Sequence, residues 1–118
     1  MRKAILISLA LTFLANCATA SDLSEASASY RRHQDFVSLQ AVVQHLTKGM
    51  SRQSVEKLLG KADYSPGDGL YYYYSSDKKE FSEEAQREFS VGLIVEYRDR
   101  SGQVTGRLES WELGPIRE

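Results

Sequence analysis

Between Phe89 and Tyr97 apolar side chains recur at every second position: Phe89, Val91, Leu93, Val95 and Tyr97 alternate with Ser90, Gly92, Ile94 and Glu96. Successive side chains of a β-strand point to opposite sides of the pleat, so this period gathers the five residues on one face. A helical period would scatter them. The strand therefore needs partner strands and a cover for its apolar side. The stretch Ser65-Pro66-Gly67-Asp68-Gly69 is rich in turn residues, and LYYYYS at 70–75 after it reads as a strand. Asp99-Arg100-Ser101-Gly102 reads as a hairpin turn, with residues 103–113 as the return strand. A two-residue Ser101-Gly102 loop sets Glu96 opposite Arg107, Val95 opposite Leu108 and Trp111 opposite Gly92. Residues 76–88, SDKKEFSEEAQRE, are dominated by charge and read as a long connection.

Two short amphipathic segments supply the cover. Leu39, Val42, Val43 and Leu46 fall at i, i+3, i+4 and i+7, the stripe of a helix, with Ser38 as N-cap and Gly49 as its end. Val55, Leu58 and Leu59 repeat the spacing in a second helix, capped by Ser51 and ended by Gly60. Neither is long enough to be stable in isolation, so both must pack on the sheet. The expected fold is α+β: two short helices on one face of a three-stranded antiparallel sheet, spanning residues 36–118.

The N-terminus reads as an export signal. Met1-Arg2-Lys3 is a positive start, and Ala4–Ala15 is an apolar run too short to span a bilayer, which takes about 20 residues. Two processing sites remain open. Ala18-Thr19-Ala20 suits cleavage before Ser21, giving residues 1–20 as signal peptide and a periplasmic protein. Leu14-Ala15-Asn16-Cys17 resembles a lipobox, in which Cys17 is the lipid attachment point and the protein is held at the outer membrane on its periplasmic side. Acyl chains contribute about 0.8 kcal/mol per buried CH₂ to such an anchor. Residues 21–35, rich in Ala and Ser, read as a flexible tether that includes the basic-aromatic cluster Tyr30-Arg31-Arg32-His33.

Composition narrows the chemistry. Loss of Arg2 and Lys3 with the leader leaves 13 basic residues against 16 acidic ones, a net charge of −3 and no footprint for nucleic acid. Cys17 is the single cysteine, so no intrachain disulfide forms. His33, His45 and Cys17 have no metal-ligand spacing, and no cofactor is expected. No nucleophile elbow or phosphate-cradling loop is present, and Glu83, Glu84 and Glu88 read as solvated charge rather than as a catalytic pair. His45 reads as a rim residue of its helix. An enzyme, or a site for a small-molecule substrate, is not expected. Under the register above, Trp111 lies near Ile94 on the face away from the helices, and Tyr71 and Tyr73 extend it. Tyr71, Tyr73, Ile94 and Trp111 are thus the candidate interaction face. The same aromatics would equally serve to cover the sheet edge or pack beneath the long connection.

The run Leu46-Thr47-Lys48-Gly49-Met50-Ser51-Arg52-Gln53-Ser54-Val55-Glu56-Lys57-Leu58-Leu59-Gly60 resembles the L-x-x-G-M-[ST]-x-x-x-V-x-x-x-L-G pattern of the SmpA/OmlA family of small outer-membrane lipoproteins, which includes BamE. Tyr72-x-Tyr74 is similar to that family's following strand, and Ser101-Gly102-Gln103-Val104 to its later turn. The resemblance covers roughly residues 39–108. It implies an ααβββ domain and a non-catalytic role in outer-membrane assembly or maintenance, exerted by contact with envelope proteins. The topology is similar also to the repeats of β-lactamase inhibitory proteins, which bind an enzyme through the sheet face. That likeness implies the alternative of a soluble periplasmic binding or inhibitor module.

Overall fold

The computed structural model describes residues 22–117. The architecture is α+β, with three helices and a four-stranded antiparallel sheet in place of the two helices and three strands expected. Helix α1 covers residues 22–33, α2 Phe36–Val43 and α3 Arg52–Leu59. Strands β1 (Tyr64–Gly67), β2 (Leu70–Ser82), β3 (Arg87–Glu96) and β4 (Ser110–Pro115) lie in the order β1-β2-β3-β4, each antiparallel to its neighbour.

The segment expected to be a tether is α1, and it is part of the core. Leu23, Ala26, Ser27 and Tyr30 form its inward stripe at helical spacing. Two of the four are Ala and Ser, which is why the stripe does not register as hydrophobic periodicity. The Ser27 hydroxyl donates to the Leu58 carbonyl (2.7 Å), and the Tyr30 hydroxyl donates to the Tyr74 carbonyl (2.8 Å). Tyr30 is 1% exposed and stands 6.5 Å from the Tyr73 ring.

A polar clasp then ties the α1–α2 junction to β2. Gln34, at φ +55°, directs its side-chain amide to both Asp63 oxygens (2.9 Å each), while its carbonyl accepts from the Ser76 amide (2.8 Å). Asp63 also accepts from the Tyr74 amide (2.8 Å), and burial raises its pKa against the opposing Gln34 hydrogen bond. Asp35, not Ser38, caps α2. Its carboxylate receives the Ser38 amide, the Ser38 hydroxyl and the Ser29 hydroxyl. Desolvation works against the charge there, but these bonds outweigh it and hold the Asp35 pKa below its ordinary value.

Helix α2 ends at Val43 rather than at Gly49, and Leu46 reaches the core from the turn that follows. Helix α3 has the expected caps: the Ser51 hydroxyl accepts from the Ser54 amide (3.1 Å), and Gly60 closes the helix at φ +81°. Leu39, Val42, Leu46, Val55 and Leu59 pack with Tyr73, Leu93, Val95 and Tyr97 on one side of the sheet.

Two strand expectations are corrected. Residues 76–88 are not a long connection: β2 runs to Ser82, a turn at 83–86 follows, and β3 begins at Arg87. The ladder breaks between Tyr74 and Lys79 and resumes as Lys79↔Ser90, Glu80↔Phe89, Phe81↔Glu88 and Ser82↔Arg87. This ribbon is held by backbone pairing, so its charged side chains conceal it from a reading of hydrophobic pattern. The return strand is displaced as well. A turn does form at 99–102, organised by the Asp99 carboxylate, which accepts from the Ser101 and Gln103 amides. Residues 106–108 then leave the sheet edge to bind the α2–α3 turn: Gly49 donates to the Leu108 carbonyl, Leu108 to Met50 and Arg52 to Gly106. Pairing with β3 resumes as Glu96↔Ser110, three residues beyond the expected Arg107. Glu96 instead meets Arg98 in an ion pair (2.8 Å). An odd displacement exchanges the two faces of the strand.

Candidate functional site

The corrected register redraws the sheet surface. Trp111 pairs with Val95 and Leu113 with Leu93, so both lie on the helix side and pack against the core. Tyr73 pairs with Leu93 and is 2% exposed, its hydroxyl donating to the Gly60 carbonyl (3.1 Å). Burial carries its pKa well above that of a free tyrosine. Tyr71 pairs with Val95, meets the Tyr97 ring edge-on at 5.5 Å, and carries the Arg52 guanidinium 4.4 Å above its own ring. Tyr97 beneath them is pushed up to about 12, chiefly by burial. Of the four expected face residues, Tyr71, Tyr73 and Trp111 therefore belong to the helix side, and Ile94 alone lies on the open face.

The open face is built from the residues between these. Its central row crosses all four strands: Tyr64↔Tyr72↔Ile94↔Glu112. The next row on one side is Leu70↔Glu96↔Ser110, and on the other Tyr74↔Gly92↔Gly114, with Ile116 beside Gly92. The Tyr64 and Tyr72 rings are 5.7 Å apart and tilted by 51°, and Tyr64 is 49% exposed. Leu70, Ile94, Glu96, Ser110 and Glu112, with Trp111 at the rim, outline a shallow depression of about 420 Å³. The described helices all lie on the other side of the sheet, so among the described residues this row of two tyrosines and an isoleucine ending at a carboxylate faces outward. Four consecutive tyrosines do not reveal which pair faces out. Only the partner strand decides that.

The face suits association with another surface: aromatic rings with polar tips, an aliphatic centre and a flat, sheet-borne frame. Among the described residues, no group of three His, Cys, Asp or Glu side chains could hold a metal ion. His33 and His45 are exposed on the helical layer, and Glu83, Glu84 and Glu88 are exposed around the ribbon turn. Among the described residues no helix is long and apolar enough to cross a membrane. The leader, Cys17 and the Ala18-Thr19-Ala20 site lie outside the described residues. Compared with protein families, curated proteins and solved structures, the chain matches none of them.

Proposed function

We propose that this chain is a non-catalytic cell-envelope protein, BamE-like, that acts in outer-membrane assembly or maintenance by presenting its open sheet face to a protein partner. The observation that carries the proposal is the row Tyr64–Tyr72–Ile94, left outward by a domain whose described helices all pack on the opposite side. An apolar row on a small sheet is costly to leave in water and is a common basis for protein association. The Leu46–Gly60 run supports the family reading, since Gly49, Ser51, Val55, Leu59 and Gly60 perform the turn, cap and core duties its pattern implies. The placement of α2 and α3 before β2, β3 and β4 supports the ααβββ reading, while α1 and β1 go beyond it. The basic start and apolar run of residues 1–15 support export, and Cys17 supports a lipid anchor on the periplasmic side of the outer membrane.

The Ala18-Thr19-Ala20 site favours a second reading, a soluble periplasmic binding or inhibitor module using the same face. Intact mass of the mature protein from membrane and soluble fractions separates the two. A chain beginning at Cys17 with acyl mass is the expected result. An unmodified chain beginning at Ser21 in the soluble fraction would replace the anchored reading with the second. On either reading Tyr72→Ala and Ile94→Asp abolish partner association, and wild-type association by both variants would remove the open face from the account.

A further inference from the structure

Where β4 ends, the sheet continues as the β2–β3 ribbon, and Phe89 lies on its helix-side face beyond the cover of the main helical core cluster. It is nonetheless only 7% exposed. Two arginines provide its cover: the Arg87 guanidinium stands 4.3 Å and the Arg117 guanidinium 5.3 Å from the ring centroid. Cation–π attraction and the apolar stems account for the arrangement, while the charged heads stay in solvent, as both arginines are exposed. Among the described residues neither guanidinium has a carboxylate within 4.0 Å or a hydrogen bond to a protein acceptor. Glu80 pairs across the ladder from Phe89, and Glu88 is its neighbour in β3, yet neither carboxylate closes on an arginine. At the end of β4 an open depression of about 420 Å³ reaches round from the open face, lined by Tyr74, Glu88, Ser90 and Ile116 together with Arg87 and Phe89; Arg117 stands outside it.

We propose that Arg87 and Arg117, held on the Phe89 ring, form a binding site for a phosphate-type oxyanion. Contact with the ring restrains each guanidinium without using its N–H donors, so less side-chain freedom is lost when an anion arrives. A carboxylate fills a single fork. A tetrahedral phosphate offers enough oxygens to be shared between two, and its charge relieves the mutual repulsion of two cations gathered on one ring. The phosphate is that of a lipid headgroup or of a small soluble phosphate, and the chemistry of the site is the same for both.

The test is titration of the intact purified protein with inorganic phosphate, following the arginine side-chain and backbone resonances. In parallel, co-sedimentation is measured with phosphatidylglycerol vesicles and with phosphatidylcholine vesicles. Phosphate is expected to shift Arg87 and Arg117 selectively. Arg87→Gln and Arg117→Gln are each expected to weaken binding about tenfold, the scale of losing a hydrogen bond to a charged group. Phe89→Leu keeps both charges but loses the stacking surface, and binding should weaken. Phe89→Tyr keeps the ring and should bind normally, which separates loss of the site from loss of the fold. Selective retention on phosphatidylglycerol vesicles identifies the headgroup as ligand, and binding of inorganic phosphate alone identifies a soluble one. Phosphate shifts spread evenly over all cations, undiminished binding by Arg87→Gln, or equal binding of acetate would overturn the proposal.

Discussion

Gly92 occupies a position in β3 where no other residue fits, and its replacement is a demanding test of the register. It pairs with Tyr74 just before the ladder breaks, and Ile116 lies over it on the open face. A Cβ at position 92 would stand 2.9 Å from the Tyr74 Cα and 2.9 Å from the Ile116 Cδ1, and would overlap the Tyr73 carbonyl oxygen. Carbon atoms rest at about 3.5–4.0 Å, so two contacts are short by roughly 0.6–1 Å and the third is worse. Ile116 has some freedom to turn aside, but the β2 backbone moves only by parting from β3. Overpacking a core costs about 1–3 kcal/mol, and each stretched ladder hydrogen bond adds about 1 kcal/mol. Gly92→Ala should therefore lose about 3 kcal/mol, a fall in midpoint of about 15 °C for a domain of this size. Urea and thermal denaturation measure it. Ile116→Val removes the Cδ1 and should cost less in the Gly92→Ala background than alone, without restoring stability. A loss below about 1 kcal/mol for Gly92→Ala, or full rescue by Ile116→Val, would refute the close approach of β2 and β3 at this point.

Three further outcomes are expected. Tyr30→Phe should cost about 1 kcal/mol by leaving the Tyr74 carbonyl without its donor, and Tyr30→Ala about 3–5 kcal/mol by emptying a site that is 1% exposed; a neutral Tyr30→Ala would return residues 22–33 to the status of a tether. Asp35→Ala should cost about 1 kcal/mol at neutral pH as a lost helix cap. Because the folded pKa of Asp35 lies below its ordinary 3.8, the carboxylate's contribution is complete above that value and is lost as pH falls through the folded one. Acid titration of stability should thus be shallower in Asp35→Ala than in the wild type. Removing residues 79–88 and closing the shortened ribbon with a two-residue Asn-Gly turn should leave the near-ultraviolet signal of the Tyr73 cluster unchanged, since the ribbon's pairing lies beyond that cluster.

The parts of the fold that were legible are those where hydrophobic period and cap chemistry coincide. Ser51, Val55, Leu59 and Gly60 delimit α3, and the alternation from Phe89 to Val95 defines most of β3. Helix α1 escaped because its inward stripe relies on Ala26, a serine hydroxyl bonded to Leu58 and a single tyrosine. The ribbon escaped because backbone pairing needs no apolar residue. The open face differs from the sequence expectation for a subtler reason. The Ser101-Gly102 turn is real, with Gly102 at φ +87°, but the following residues pair with the α2–α3 turn before they rejoin β3. That competition between two edges is long-range, and it moved Trp111 from one face to the other. Ile94 kept its place because the parity of β3 does not depend on the return strand.

The face made by Tyr64, Tyr72 and Ile94 is the surface proposed to meet a partner. The most direct measurement is to place a photo-crosslinking residue at position 72, at position 94 and, for reference, at the exposed Gln53 of α3, in cells that export the full chain. The account predicts one adduct of the same mass at positions 72 and 94, absent at position 53 and abolished by Tyr64→Asp. Adducts at position 53 alone, or none at positions 72 and 94, would contradict it.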